Sequence, residues 1–181
     1  MDMLEEFEFC PPMVGKPAPD FTGTAYHKSF EGDFRQVGLA DYKGHWLVLF
    51  FYPAAFTGVC SSELVAFAKD FEQFAQAGAK LLAVSGDSQF VLKKLVESGE
   101  AGDPPFPLLS DLNHHIGMDY GVYLDELGLN LRGLFIIDPQ GKLRYQVVHE
   151  PFVGRSTEET LRVLLALQSG GACPANWKPG K

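Results

Sequence analysis

The sequence predicts an α/β fold with a central mixed sheet flanked by helices. The first observation is a set of apolar runs without alternation: Trp46–Tyr52, Lys80–Ser85 and Leu134–Asp138. Such runs read as strands buried on both faces, as in a sheet covered by helices on either side. The second is helical spacing between and after them, in Leu64, Phe67, Ala68, Phe71, Phe74 and Ala75 and again in Leu161, Leu164, Leu165 and Leu167. The third is their order: strand, helix, strand, helix, then a hairpin and a final helix.

Each element has a local reason. Residues 1–20 carry Pro11, Pro12, Pro17 and Pro19 and read as an irregular arm. Phe21–Tyr26 reads as an edge strand, Gln36–Leu39 as a short strand and Ala40–Gly44 as a loop. Strand Trp46–Tyr52 ends at Pro53, and a helical pattern runs from Ser61 to a stop at Gly78. Asp87 or Ser88 caps a helix reaching about Glu97, with Phe90, Val91 and Leu95 inward. Gly99–Pro107 is a Gly/Pro loop, and a short helix or turn spans Asn113–Tyr120. Asp138-Pro139-Gln140-Gly141-Lys142 is a turn, because proline presets one dihedral and glycine permits positive φ. Leu143–His149 returns as the antiparallel partner. Ser156-Thr157-Glu158-Glu159 reads as a capping box opening the last helix. The organisation is an arm (1–14), one domain (15–168) and a C-terminal arm (169–181) that contains the Gly170-Gly171 hinge.

Bulk numbers narrow the function. A net charge of −8 opposes nucleic-acid binding, which needs a basic face. No apolar run approaches the roughly 18 residues of a membrane span, and the start lacks the pattern of a signal peptide. The expected location is cytoplasmic. Only Cys10, Cys60 and Cys173 are present, too few for a secreted disulfide scaffold. With no C-x-x-C, neither a zinc ribbon nor a dithiol redox motif is available. His27, His45, His114, His115 and His149 form no ligand pattern, so no metal site is expected.

Cys60 stands out. It follows the strand and the Pro53 turn and falls in the first turn of a helix, where free N–H groups and the positive helix end stabilise an anion. Thiolate is the reactive form of cysteine. A buried inert cysteine is the plain alternative.

Pro53-x-x-x-Thr57-x-x-Cys60 resembles the peroxidatic motif of peroxiredoxins. Arg132-Gly133-Leu134-Phe135-Ile136-Ile137-Asp138 resembles the family's arginine-bearing strand, and Val153-Gly154-Arg155-Ser156 is similar to its counterpart before the last helix. Cys173-Pro174-Ala175-Asn176-Trp177 resembles the resolving-cysteine tail of typical two-cysteine members, the alkyl hydroperoxide reductase C group. The resemblance implies a thioredoxin-like fold and a peroxidase acting on hydrogen peroxide and alkyl hydroperoxides without metal, haem or flavin. It implies that Cys60 is the nucleophile, that Arg132 polarises sulfur and peroxide, that Thr57 hydrogen-bonds the peroxide and that Pro53 shields the pocket. Glu63 matches an acid that orients the arginine; a first-turn glutamate otherwise simply complements the helix dipole. Cys173 is implied to resolve the sulfenic acid as an intersubunit disulfide. Thioredoxin or a dedicated flavoprotein reductase is the implied reductant, and a homodimer or decameric ring the implied assembly. Cys10 matches no family position.

A disulfide needs Cα atoms roughly 4.4–6.8 Å apart, so local unwinding around Cys60 and tail movement are expected. The loop Glu97–Pro107 lacks the Gly-Gly-Leu-Gly insertion, and the sequence given ends shortly past Trp177 without a Tyr-Phe tail. Resistance to overoxidation follows as an expectation. Gly58 and Ser61-Ser62 depart from the subgroup's Phe and Pro-Thr. The other readings are a thiol–disulfide oxidoreductase, and a holdase chaperone or peroxide sensor on the same scaffold.

Overall fold

A computed structural model describes residues 11–180. The strands are β1 (Thr22–Tyr26), β2 (Phe34–Gly38), β3 (Trp46–Phe51), β4 (Ala79–Ser85), β5 (Leu108–Ser110), β6 (Tyr123–Leu124), β7 (Leu129–Asn130), β8 (Arg132–Ile137) and β9 (Leu143–His149). The helices are α1 (Gly58–Gln76), α2 (Gln89–Glu97), α3 (His115–Asp119) and α4 (Thr157–Ser169). Seven strands form one sheet in the order β2-β1-β5-β4-β3-β8-β9. β3, β4 and β5 run parallel, and the pairs that flank them are antiparallel. The sheet is therefore mixed, as expected.

The missing alternation in β3 now has its cause. Side chains alternate across a strand, and both faces of β3 are covered. Val48, Phe50 and Tyr52 join a core with Leu64, Phe67, Phe74, Leu92, Leu95 and Leu164. Leu47, Leu49 and Phe51 join the opposite core with Val37, Ile116, Tyr120 and Val122. Phe50 stacks on Phe67 of α1, ring centroids 4.3 Å apart. Truncating either ring to alanine costs about 3–5 kcal/mol, so this contact is a main fastener of α1 against the sheet.

Several expectations need correction. β1 is not an edge strand; it bonds β2 on one side and β5 on the other. Residues 40–44 are not all loop, because Leu39–Tyr42 forms a 3₁₀ turn that buries Tyr42. Its Asp41 carboxylate accepts the Gly38 N–H at 2.9 Å. α1 starts at Gly58, ahead of Ser61. Of the two expected cap candidates it is Ser88 that caps α2, as the reading allowed, its hydroxyl accepting the Val91 N–H at 3.4 Å. Phe90 is 65% exposed rather than inward, lying edge-on to Phe34, while Leu92 and Leu95 fill the core. The β6–β7 ribbon was not foreseen.

Other stops stand. Gly78 takes φ +69° just past α1, a conformation glycine adopts without steric cost. The Ser156 hydroxyl accepts the Glu159 N–H at 3.1 Å and opens α4. From Gly15 the N-terminal segment is tied down, with Gly15 N–H donating to Leu143 O and Leu143 N–H to Lys16 O. Cys10 lies outside the described residues. Among the described residues no helix is long and apolar enough to cross a membrane.

Candidate active site

β3 delivers the chain to the site. The Tyr52 N–H still bonds Val84 O, but Pro53 offers no N–H and the strand ends there. Phe56 turns the chain at φ +60°, and Thr57 is the N-cap of α1. The Thr57 hydroxyl donates to Ala54 O at 3.0 Å rather than capping the helix. The N–H groups of Gly58, Val59 and Cys60 open the helix without intrahelical acceptors. Cys60 is 1% exposed.

Arg132, the first residue of β8, reaches across to α1. Its Nη1 donates to Cys60 Sγ at 3.5 Å and to Glu63 Oε2 at 2.6 Å, and its Nε donates to Pro151 O at 2.7 Å. Such a bond to sulfur is strongest when the sulfur is anionic. Arg155, just before α4, grips the same carboxylate: its backbone N–H and Nε donate to Oε1 at 2.7 and 2.8 Å, and its Nη2 donates to Oε2 at 2.8 Å. Its Nη1 donates to Gly133 O at 2.6 Å, and its guanidinium lies over the Phe50 ring. All three charged side chains are buried. Two arginines and one glutamate leave one net positive charge beside the Cys60 sulfur.

Burial pushes the Glu63 carboxyl up, but the Arg155 guanidinium and backbone N–H and the Arg132 charge outweigh burial. The carboxyl is held below the ordinary carboxylate range, so it stays ionised and fixes both guanidinium planes. This goes beyond complementing a helix dipole: Glu63 is the hub of the site.

The structure thus brings together Cys60, Glu63 and Arg132, and half-buried Pro53 stands in the turn that leads into α1. Thr57 is exposed at the rim, with no hydrogen bond to Sγ among the described residues. Cys173 lies elsewhere. Its sulfur is 3.3 Å from Ser169 Oγ and 3.6 Å from Ala166 O, past the far end of α4. Both cysteines are free thiols. α4, 13 residues long and rising about 1.5 Å per residue, separates the Glu63–Arg155 contact from the end where Cys173 lies. The sequence reading did not include Arg155 as a site residue. Its signals are its place directly before the helix cap and the family-like Val153-Gly154-Arg155-Ser156 segment, which the sequence reading leaves outside the site. Among the described residues no group of three or more His, Cys, Asp or Glu is placed to hold a metal ion.

A sequence profile of the AhpC/TSA family matches residues 14–146. The chain belongs to that family. It is 48% identical over 172 residues to a Clostridium pasteurianum protein named "Putative peroxiredoxin in rubredoxin operon", covering 93% of this chain and 96% of the relative. It is 46% identical over 175 residues to rat Peroxiredoxin-4, covering 92% of this chain and 63% of the longer relative. The reduced crystal structure of a Plasmodium vivax 2-Cys peroxiredoxin superposes with a TM-score of 0.86 at 35% identity, covering 94% of this chain and 92% of that one. This peroxiredoxin is therefore a thiol-dependent peroxidase with a thioredoxin-like fold, and the chaperone or sensor alternative is not favoured.

Proposed function

We propose that Cys60 is the peroxidatic nucleophile for hydrogen peroxide and alkyl hydroperoxides, and that Cys173 of a second copy of the chain resolves it. The observation that carries this reading is Arg132 Nη1, which bonds Cys60 Sγ and Glu63 at once. The Cys60 thiolate attacks one peroxide oxygen, the O–O bond breaks, and the departing oxygen takes a proton to leave as water or alcohol. The sulfur keeps one oxygen as a sulfenic acid. Arg132 stabilises the charge that moves from sulfur to the departing oxygen. Thr57 can meet the peroxide at the rim once its hydroxyl turns from Ala54 O, and Pro53 walls the pocket. Glu63 and Arg155 position Arg132.

The Cys173 thiol then attacks the sulfenic sulfur, a disulfide forms and water leaves. An external dithiol protein, thioredoxin or a flavoprotein-linked reductase, returns both thiols. The separation along α4 supports the intersubunit pairing, because one chain cannot close that gap by unwinding a single turn.

Peroxide consumption by the reduced protein with a dithiol reductant tests the chemistry. A non-reducing gel after one equivalent of peroxide tests the pairing. A dimer band, lost in Cys173→Ser, is expected; a disulfide-bonded monomer sinks the intersubunit reading.

A further inference from the structure

The Pro53–Thr57 turn packs Ala55 against the core but has few hydrogen bonds to the rest of the molecule. Pro53 has no N–H, and the Thr57 hydroxyl bonds within the turn, to Ala54 O. Among the described hydrogen bonds, residues 53–59 are joined to anything beyond the turn and α1 at a single point. There the Ala55 N–H donates to Asp87 Oδ2 at 2.8 Å.

Asp87 is itself firmly mounted. It sits just past the end of β4, next to the bonded ends of the parallel β4–β5 pair, where Ser85 faces Ser110. Ser85 Oγ donates to the same Oδ2 at 2.9 Å, and the Asp87 N–H donates to Ser85 Oγ at 3.3 Å. Ser110 Oγ donates to the Asp87 carbonyl at 2.7 Å. Ser88, not Asp87, caps α2, so the Asp87 carboxylate is free to serve the turn. Across this bond the turn is strained: Phe56 holds a left-handed φ of +60° without being glycine and exposes its ring.

We propose that Asp87 is a positioning residue whose bond to the Ala55 N–H holds the turn folded over Cys60, and so sets the balance between attack on peroxide and release of the sulfenic acid to Cys173. This rests on the sulfenic-acid reading above. Attack needs Cys60 fixed against Arg132; disulfide formation needs the first turn of α1 undone. One hydrogen bond to a carboxylate therefore acts on the two steps in opposite directions. Losing a charge-assisted bond of this kind shifts an opening equilibrium roughly tenfold or more.

The experiment compares wild type, Asp87→Ala and Asp87→Asn. Amide hydrogen exchange across residues 53–60 of the reduced protein reads turn opening without any peroxide. Stopped-flow Trp fluorescence reads sulfenic acid formation and disulfide formation as separate phases. Asp87→Ala is expected to raise exchange across the turn about tenfold, to slow sulfenic acid formation, and to speed disulfide formation several-fold. Asp87→Asn keeps a neutral acceptor and falls between the two; it also carries the test should the alanine variant not fold. Unchanged exchange overturns the proposal, and so do two chemical phases that slow together or do not move. A wild-type protein that forms no sulfenic acid defeats the peroxidase reading instead, while the exchange comparison still decides whether Asp87 holds the turn.

Discussion

Cys60 and Cys173 sit in opposite kinds of surroundings. Around Cys60 the side chains are charged, buried and mutually bonded: Glu63 accepts from Arg132 and Arg155, and Arg132 also bonds the sulfur. Around Cys173 the contacts are short-range and weak, to Ser169, Ala166 and Gly171 of the same stretch of chain. The tail is pinned beyond that by Arg162 Nη1 donating to Trp177 O. In the proposed roles, a nucleophile at Cys60 needs fixed electrostatics before the peroxide arrives. A resolving thiol at Cys173 needs only to arrive, so a light attachment would serve it.

The sharpest way to break this comparison is to remove each sulfur. Cys60→Ser is expected to abolish peroxide turnover outright. Cys173→Ser should leave the first peroxide-dependent fluorescence phase intact and remove only the second; equal loss of both phases contradicts the division of labour. Next in size is the hub. Glu63→Gln removes the charge shared by two buried arginines, and breaking such a pair costs about 3–5 kcal/mol. A denaturant titration should show that loss, and stopped-flow should show sulfenic acid formation slowed about 10–100-fold, as for other orienting partners. A midpoint within error of wild type removes Glu63 from its central place.

Acid should act through the same carboxylate more gently. The folded pKa of Glu63 is held below its ordinary value of 4.5, so below 4.5 the unfolded chain binds the proton first. The stability contributed by Glu63 is fully present above that value and is lost as pH falls through the folded pKa. Melting midpoints of wild type should therefore fall more steeply below pH 4.5 than those of Glu63→Gln. The smallest effect belongs to the tail: Arg162→Ala should leave the melting midpoint unchanged while raising proteolysis near Trp177.

The parts of this design that sequence displays are those with a local cause. Buried strands appear as unbroken apolar runs, α1 as periodic phenylalanines, and Cys60 as a cysteine after a strand-ending proline. What stays hidden is lateral and long-range. Nothing in Phe21–Tyr26 tells that β5 will pair on the far side of β1. Phe90 fits a helical face, but its face turns to Phe34 and solvent. Arg155 has no periodic neighbours, and its role exists only because α4 starts beside α1. Asp87 and Ser88 are both good caps by composition, and only the fold separates their tasks.

The Glu63 cluster also bears on how the chain comes to be. Its bonds span 69 residues to Arg132 and 92 to Arg155. Closing loops of that length is entropically costly, and such contacts form late. A nascent chain that has already emitted Cys60 from the ribosome still lacks both arginines that bond Glu63. The buried charge cluster beside the sulfur is thereby completed only once the segment leading into α4 has been made, and a half-made chain carries Cys60 without it.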